Sequence, residues 1–230
     1  MDLSKPEHVM HAEGAEVAPI STSTLRARFR REGLDPKDAT DPLSLVAMWR
    51  RIWAQTRPFD PAAATLATVT PDGCPALRWM DVLDDPEGFV FLTDYGSSKA
   101  LDLTVNPLAE LCFGYLEIGR QMRIAGRVEQ LSAVASDLHF AEQPRTIQLL
   151  VWASQQSELV TDRSQVQQAI AVMQDRFEGQ EIPRPRHWGG YRLSAERIEF
   201  WQERADHLQD RLVCERAGKG CTWRITRLSP

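Results

Sequence analysis

The feature that most constrains the fold is a change in the spacing of apolar residues after the first quarter of the chain. Asp41 and Pro42 form a helix start, because Asp caps the first turn and Pro is favoured at its first position. The apolar residues that follow recur every three or four positions: Leu45, Val46, Trp49, Ile52 and Trp53. This spacing predicts an amphipathic helix that ends before Pro58.

From Ala64 to about Leu131 the spacing becomes two, which is typical of strands with one buried face. Residues 65–70 and 75–82 flank the turn residues 71–73 and predict a β-hairpin. The alternation is clearest over 121–131, where one face carries Met122, Ile124, Gly126 and Val128. Further strands are predicted at 89–93, 111–115, 190–193, 197–201 and 222–228, and further helices at 132–142 and 163–177. The order predicts an α+β domain with a mostly antiparallel sheet, closed as a barrel.

Length and charge limit the classes of function. With 230 residues the chain is predicted to hold a mobile tail over 1–24 and a single domain over 25–230. The net charge of −5 argues against nucleic acid as a partner. No apolar run approaches the roughly 18 residues of a membrane span, and the N-terminus lacks the apolar core of a secretory signal. We therefore expect a cytoplasmic protein with no membrane partner.

Common nucleophile and metal motifs are missing from the sequence. Neither G-x-S-x-G nor H-E-x-x-H occurs, and no Gly-rich loop precedes a lysine in the way that cradles phosphates. The four cysteines are scattered without C-x-x-C, so we expect free thiols. The five histidines are either in the tail or far apart, and we expect no metal site.

The segment 93–99 leaves a predicted strand and enters a predicted helix. Its hydroxyls, backbone N–H groups and Lys99 could meet an anion such as phosphate at the helix N-terminus. Taken alone, the segment equally suits an ordinary loop with a capping serine and a solvated lysine, which is the simpler interpretation.

Seven segments in order resemble the flavin-dependent pyridoxamine 5′-phosphate oxidases, over about residues 25–230. They are Asp41-Pro42-Leu43, FVFLTDYGSSKA at 89–100, Arg120-Gln121 leading to Gly126, VWASQQS at 151–157, 188–192, 198–202 and the terminal 227–230. The resemblance implies a split β-barrel homodimer, with residues near the C-terminus in dimerisation and one FMN in each of two clefts between the subunits. The flavin contacts that it implies are Arg78, Trp79, Met80, Leu92, Thr93, Ser97, Ser98, Lys99, Gln121, Gln156, Ser157, Trp201 and Arg211. At Ser98 the family usually has an arginine, so one basic phosphate contact is lost.

The sequence departs from the family in the implied substrate pocket. The family's lysine is replaced by Val82 or Leu83, and its Tyr, Arg and Ser by His139, Gln143 and Ile147. Its Arg-x-His is replaced by His207-Leu208-Gln209, so the implied substrate-binding residues are His139, Gln143, Ile147, His207 and Gln209. Each charge-assisted hydrogen bond that is lost should cost about 1.5–3 kcal/mol, which argues against a phosphorylated substrate.

These departures predict an FMN-dependent oxidase that takes a hydride from a small, non-phosphorylated nitrogen heterocycle and is reoxidised by dioxygen. His139 and His207 are the candidate catalytic residues, although both could merely fill space. Two alternatives stay open. One is a true pyridoxamine/pyridoxine 5′-phosphate oxidase with a rearranged phosphate clasp, which is the name used here for the family's Lys, Tyr, Arg and Ser that bind the substrate phosphate. The other is a non-catalytic protein that binds flavin or pyridoxal phosphate.

Overall fold

One long strand, β7, organises the sheet. The computed structural model describes residues 19–218 and 220–230. Its strands are β1 (Ala63–Val69), β2 (Pro75–Asp81), β3 (Leu83–Asp85), β4 (Gly88–Asp94), β5 (Leu108–Tyr115), β6 (Arg120–Gln130), β7 (Trp188–Gln202), β8 (Asp210–Glu215) and β9 (Arg224–Arg227). Its helices are α1 (Thr22–Glu32), α2 (Pro42–Ala54), α3 (Ser98–Val105), α4 (Ala133–Ala141), α5 (Arg145–Ala153) and α6 (Arg163–Arg176), with short 3₁₀ turns at Pro36–Ala39 and Leu116–Ile118.

Every strand pair in the described sheet is antiparallel, and the order is β2-β1-β5-β6-β7-β4-β3. β6 pairs with β7 along most of its length. On the edge of β7 that faces away from β6, the first part of β7 pairs with β4 and the last part pairs with β8. β8 in turn pairs with β9. The sheet therefore divides along β7, and the predicted α+β split β-barrel is confirmed.

A bulge at Glu196 of β7, opposite Ala125 and Gly126 of β6, interrupts the regular pairing of the two strands. The register between β6 and β7 shifts between Ala125 and Gly126. A Cβ on Gly126 would lie 1.9 Å from the Ser194 carbonyl oxygen. Only glycine allows this approach of the two backbones.

Two clusters of apolar side chains support the sheet. In the larger one the inward face of β6 meets α2, and the Trp49 ring packs edge-on against Phe200 at 5.2 Å between centroids. The smaller one, beside α4, α5 and α6, contains Phe140, Leu149 and Trp188. It holds the loop after α5 close to the start of α3, where the candidate site lies.

Several predicted elements differ in extent. Helix α1 begins at Thr22, inside the range predicted as a tail, whereas residues 1–18 lie outside the described residues. The two strands predicted at 190–193 and 197–201 form the single strand β7. Helix α5 and strand β8 were not predicted. The described helices include none with the length and apolar character to cross a membrane. All four cysteines are free thiols.

Candidate functional site

Lys99, in the first turn of α3, is the centre of a polar cluster that the fold assembles from three segments. Its side-chain nitrogen donates hydrogen bonds to Thr93 Oγ1 at 2.9 Å, to Ser97 Oγ at 3.2 Å and to Gln156 Oε1 at 2.8 Å. Thr93 ends β4 and Gln156 follows α5. The sequence predicted all four residues as one site, and the structure brings them together.

The cluster holds a buried positive charge whose hydrogen-bond partners are all uncharged. Lys99 is 6% exposed, and its three acceptors are neutral oxygens. Within residues 19–218 and 220–230, no Asp or Glu forms an ion pair with Lys99. Burial, with a smaller contribution from the charge of Arg78, lowers the pKa of Lys99 to about 8 against the opposing effect of the Asp94 carboxylate. A buried ammonium of this kind is stabilised by an anion, so the cluster fits a phosphate group.

Arg78 on β2 is held in place by two buried residues. Its Nη1 donates to Thr68 Oγ1 at 2.6 Å, and its Nη2 lies 3.5 Å from Asp102 Oδ2. The Thr68 hydroxyl in turn donates to Asp102 at 2.6 Å. These contacts fix the orientation of the Arg78 guanidinium. Its positive charge helps to lower the pKa of Lys99.

The start of α3 adds backbone donors to this cluster. Ser97 is the N-cap residue, but its hydroxyl donates to the Asp94 carbonyl at 2.7 Å rather than capping the helix. The N–H of Ser98 donates to Ser157 Oγ at 3.4 Å, a long contact that a stronger acceptor can replace. Ser157 itself has a positive φ of 75°. The positive end of the helix therefore faces the same place as Lys99.

Three other predicted flavin contacts lie together elsewhere in the sheet. Gln121 on β6 pairs with Trp201 on β7, and Trp201 pairs with Arg211 on β8. Arg211 is fixed by Glu199, which accepts from its Nη2 at 2.7 Å. We call Gln121, Trp201 and Arg211 the ring group, and Arg78, Thr93, Ser97, Ser98, Lys99, Gln156 and Ser157 the phosphate group.

The two groups sit at opposite ends of β7. Thr93 pairs with Gly189, and Trp201 lies twelve residues further along the strand. Gln121 also pairs with Gly114 on β5, and Gly114 lines the same cleft as Met80 and Leu92. The curled sheet therefore brings the strands of both groups to the border of one cleft.

A large cleft with a volume of about 850 Å³ is lined by Trp79 and Leu92, the chain neighbours of Arg78 and Thr93 in the phosphate group. Five predicted residues line it: Trp79, Met80, Leu92, Gln143 and Ile147. Of the two candidate positions for the family's lysine, Leu83 lines the cleft, whereas Val82 is fully buried in the core. Leu83 is therefore the residue that corresponds to this lysine in the cleft.

The remaining predicted substrate residues lie outside the lining of this cleft. His139 is on α4, with Nδ1 3.7 Å from Glu142 Oε2. His207 is exposed in the connection between β7 and β8, with a positive φ of 61°. Gln209, in the same connection, accepts from the Arg204 N–H at 2.7 Å. The described residues include no group of three or more His, Cys, Asp or Glu placed to bind a metal ion.

Sequence reasoning missed the residues that support the site. Thr68 and Asp102 orient Arg78, and Glu199 orients Arg211. Thr68 could have been found, because it is a polar residue at an inward position of the alternating strand β1. The aromatic residues of the cleft come from separate elements and carry no shared sequence signal: Trp53, Phe59, Tyr115 and Trp188.

Comparison with known proteins agrees with this architecture and site. Residues 52–177 match the family described as pyridoxamine 5′-phosphate oxidase, and residues 188–230 match the pyridoxine 5′-phosphate oxidase C-terminal dimerisation region. The chain belongs to the pyridoxamine 5′-phosphate oxidase family. This assignment confirms the resemblance seen in the sequence and supports FMN as the cofactor.

Similar proteins cover nearly the whole chain. A pyridoxine/pyridoxamine 5′-phosphate oxidase from Nostoc punctiforme is 46% identical over 91% of this chain and 99% of its own length. One from Rubrobacter xylanophilus is 41% identical over 95% of this chain and 99% of its own. The solved structure of PhzG from Burkholderia lata, in complex with tetrahydrophenazine-1-carboxylic acid, is 29% identical with a TM-score of 0.79, covering 87% of this chain and all of that one.

Proposed function

We propose that this protein is an FMN-dependent oxidase acting on a small, non-phosphorylated nitrogen heterocycle. The observation that carries the proposal is Lys99, a buried ammonium whose partners are all neutral oxygens. When bound, FMN supplies the hydride acceptor and returns the electrons to dioxygen.

The phosphate group of residues fits the terminal phosphate of FMN. Lys99 and Arg78 supply charge, Thr93, Ser97 and Ser157 supply hydroxyl groups, and the start of α3 supplies backbone N–H groups. Gln156 fits the same ligand through its amide. The pyrophosphate of a dinucleotide has no matching G-x-G-x-x-G loop in this sequence, which favours FMN over FAD.

We infer that the protein is a homodimer in which each flavin meets both chains. Trp201 and Arg211 of the ring group lie toward the opposite end of β7 from Gly189, which pairs with Thr93. A two-fold dimer places the ring group of one chain beside the phosphate group of the other. The match of residues 188–230 to a dimerisation region supports this arrangement, since it contains Trp201 and Arg211.

The substrate proposal rests on the side chains that line the cleft. Leu83, Gln143 and Ile147 occupy the lining where a phosphate ester would need lysine, arginine and hydroxyl partners. His139 and His207 remain the candidates for orienting the substrate or moving its proton. The complex of PhzG, a protein of similar fold, with tetrahydrophenazine-1-carboxylic acid supports a partly reduced nitrogen heterocycle as the ring system, while the carboxyl group of that ligand is a feature of PhzG alone.

A second candidate is a pyridoxine/pyridoxamine 5′-phosphate oxidase. The relatives bearing that name are up to 46% identical over nearly the whole chain. In that case arginines outside the cleft lining, such as Arg145, Arg186 or Arg204, would have to replace the missing clasp.

Cofactor and assembly can be tested on the purified protein. The cofactor released by heating should migrate as FMN in chromatography, and the native mass should be near twice 26.1 kDa. Recovery of FAD, or a stable flavin-loaded monomer, would contradict the proposal.

Turnover is tested by anaerobic bleaching of the flavin. Dihydro-heterocycles should bleach it, whereas pyridoxine 5′-phosphate and pyridoxamine 5′-phosphate should do so slowly or not at all. Rapid bleaching by the phosphate esters would favour the second candidate. Bleaching by none of these compounds would indicate a non-catalytic binding protein.

A further inference from the structure

We propose that the large cleft selects a planar aromatic substrate carrying a positive charge, such as a protonated amine, over an anionic one. This inference rests on the proposed function, because it concerns the substrate of that same site.

Aromatic rings dominate the walls of the cleft. Trp53 and Tyr115 stack with ring centroids 5.0 Å apart, and Trp79 is 73% exposed on the rim. Phe59 and Trp188 complete the aromatic lining. Faces of such rings attract both planar aromatic molecules and cations.

The charged residues of the lining all have one sign. Asp60 and Glu117 line the cleft, and in the described part of the chain neither forms an ion pair. Asp81 is a third lining carboxylate, on which the proposal does not depend. Among the residues that the structure describes, no lysine, arginine or histidine belongs to this lining. These carboxylates attract a cation that enters the cleft and repel an anion.

Tyr115 adds a buried polar group without a protein partner. It is 1% exposed, and its hydroxyl has no hydrogen-bond partner among the described residues. Burial raises the pKa of Tyr115 above its ordinary value against the opposing effect of Arg50, so the hydroxyl stays neutral and adds no negative charge to the cleft. The cleft thus differs in sign from the phosphate group, where Lys99 and Arg78 lie. One side of the site suits an anionic cofactor and the other a cationic substrate.

The test compares three probes with one ring and different charges on the FMN-loaded protein. Equilibrium dialysis at pH 7 should show tryptamine binding at least about tenfold more tightly than indole-3-acetate, with tryptophol between them; tenfold corresponds to about 1.4 kcal/mol. The double variant Asp60→Asn/Glu117→Gln should lose most of this preference. Glu178→Gln/Glu181→Gln, which removes two exposed carboxylates outside the cleft lining, should keep it.

Equal or tighter binding of indole-3-acetate, or failure of tryptamine to bind at millimolar concentration, would overturn the inference. Loss of the preference in the control double variant would do the same, because the selectivity would then come from net charge. Since dialysis does not require turnover, these outcomes are separate from those that test the oxidase. Failure to take up FMN, or to bleach, contradicts the proposed function instead.

Discussion

Glu199 accepts two hydrogen bonds from Arg211 through one carboxylate oxygen, at 3.1 Å from Nε and 2.7 Å from Nη2. Its other oxygen accepts from Arg197 at 2.8 Å and lies 3.4 Å from Arg123 Nη2. The Glu199 side chain is 5% exposed, and these arginines hold its pKa below the ordinary value against the effect of burial. A single buried carboxylate therefore fixes Arg211, one of the proposed flavin contacts.

Glu199→Gln should weaken both the fold and FMN binding. The amide keeps the volume but leaves three arginines without their carboxylate, and breaking a buried ion pair costs about 3–5 kcal/mol. Urea unfolding measures the first effect, and a fluorescence titration with FMN measures the second. Glu32→Gln is the control: it breaks the exposed pair with Arg28, worth about 0–1 kcal/mol. Equal stability of the two variants would contradict this role of Glu199.

Lys99 should make FMN binding depend on pH near 8. Phosphate binds the charged ammonium, so as pH rises through the pKa of about 8 the protein must take up a proton to bind FMN. The dissociation constant should rise about tenfold from pH 7 to pH 9. Lys99→Met should bind FMN more weakly at pH 7, by about 1.5–3 kcal/mol, and lose this dependence. The exposed Lys37→Met serves as control.

In the FMN-free protein, Lys99 should make the folded state more stable as the pH rises. This is the opposite of its effect on FMN binding, which weakens as the pH rises. Its pKa in the folded state, about 8, is below the ordinary value of 10.5, so between these values the unfolded chain binds more protons. Stability should therefore rise with pH across this window as the penalty for burying the charge disappears. Lys99→Met should remove that rise, as measured by urea unfolding at pH 8 and pH 10. If the stability of the variant still rises with pH, then groups other than Lys99 cause the rise and the prediction is wrong.

Restoring the family's phosphate clasp should create activity toward pyridoxine 5′-phosphate. Leu83→Lys, Gln143→Arg and Ile147→Ser together place charge and a hydroxyl in the cleft lining. We expect peroxide production from this ester to rise at least about tenfold, which corresponds to one added interaction of about 1.4 kcal/mol. Adding His207→Arg should raise it further. Thr146→Arg, beside the lining, should have no such effect. A wild-type turnover of about 1 s⁻¹ or more on this ester would show that the clasp is not needed.

Gly126→Ala should destabilise the sheet. The added methyl meets backbone atoms of Ser194 that no side-chain rotation can move, and overpacking of this kind costs about 1–3 kcal/mol or more. Gly114→Ala on β5 is the control, since nothing lies within 4 Å of the added Cβ. Urea unfolding should separate the two variants. Similar midpoints would mean that the bulge relaxes to admit the methyl group.

The sequence by itself determined the elements whose signals are local. Helix α2 runs from Pro42 to Ala54 with Asp41 as its N-cap, the hairpin of β1 and β2 forms around 71–73, and β6 buries the predicted face. Each of these depends on residues that are neighbours along the chain. Strand β8 has no alternation of its own and is a strand because β7 and β9 pair with it, so its sequence could not predict it.

Only the tertiary structure decided how the candidate site is divided. The sequence grouped thirteen residues as flavin contacts through resemblance, whereas the structure puts Lys99 in a hydrogen-bonded cluster beside α3 and puts Trp201 and Arg211 on the paired strands β7 and β8. It also left Val82 and Leu83 as alternatives, and burial of Val82 in the core turns Leu83 to the cleft. Most of all, the side-chain nitrogen of Lys99 donates its hydrogen bonds to three neutral oxygens from β4, the start of α3 and the loop after α5. Such an imbalance depends on distances between segments that are remote in the sequence, and these exist only in the folded chain.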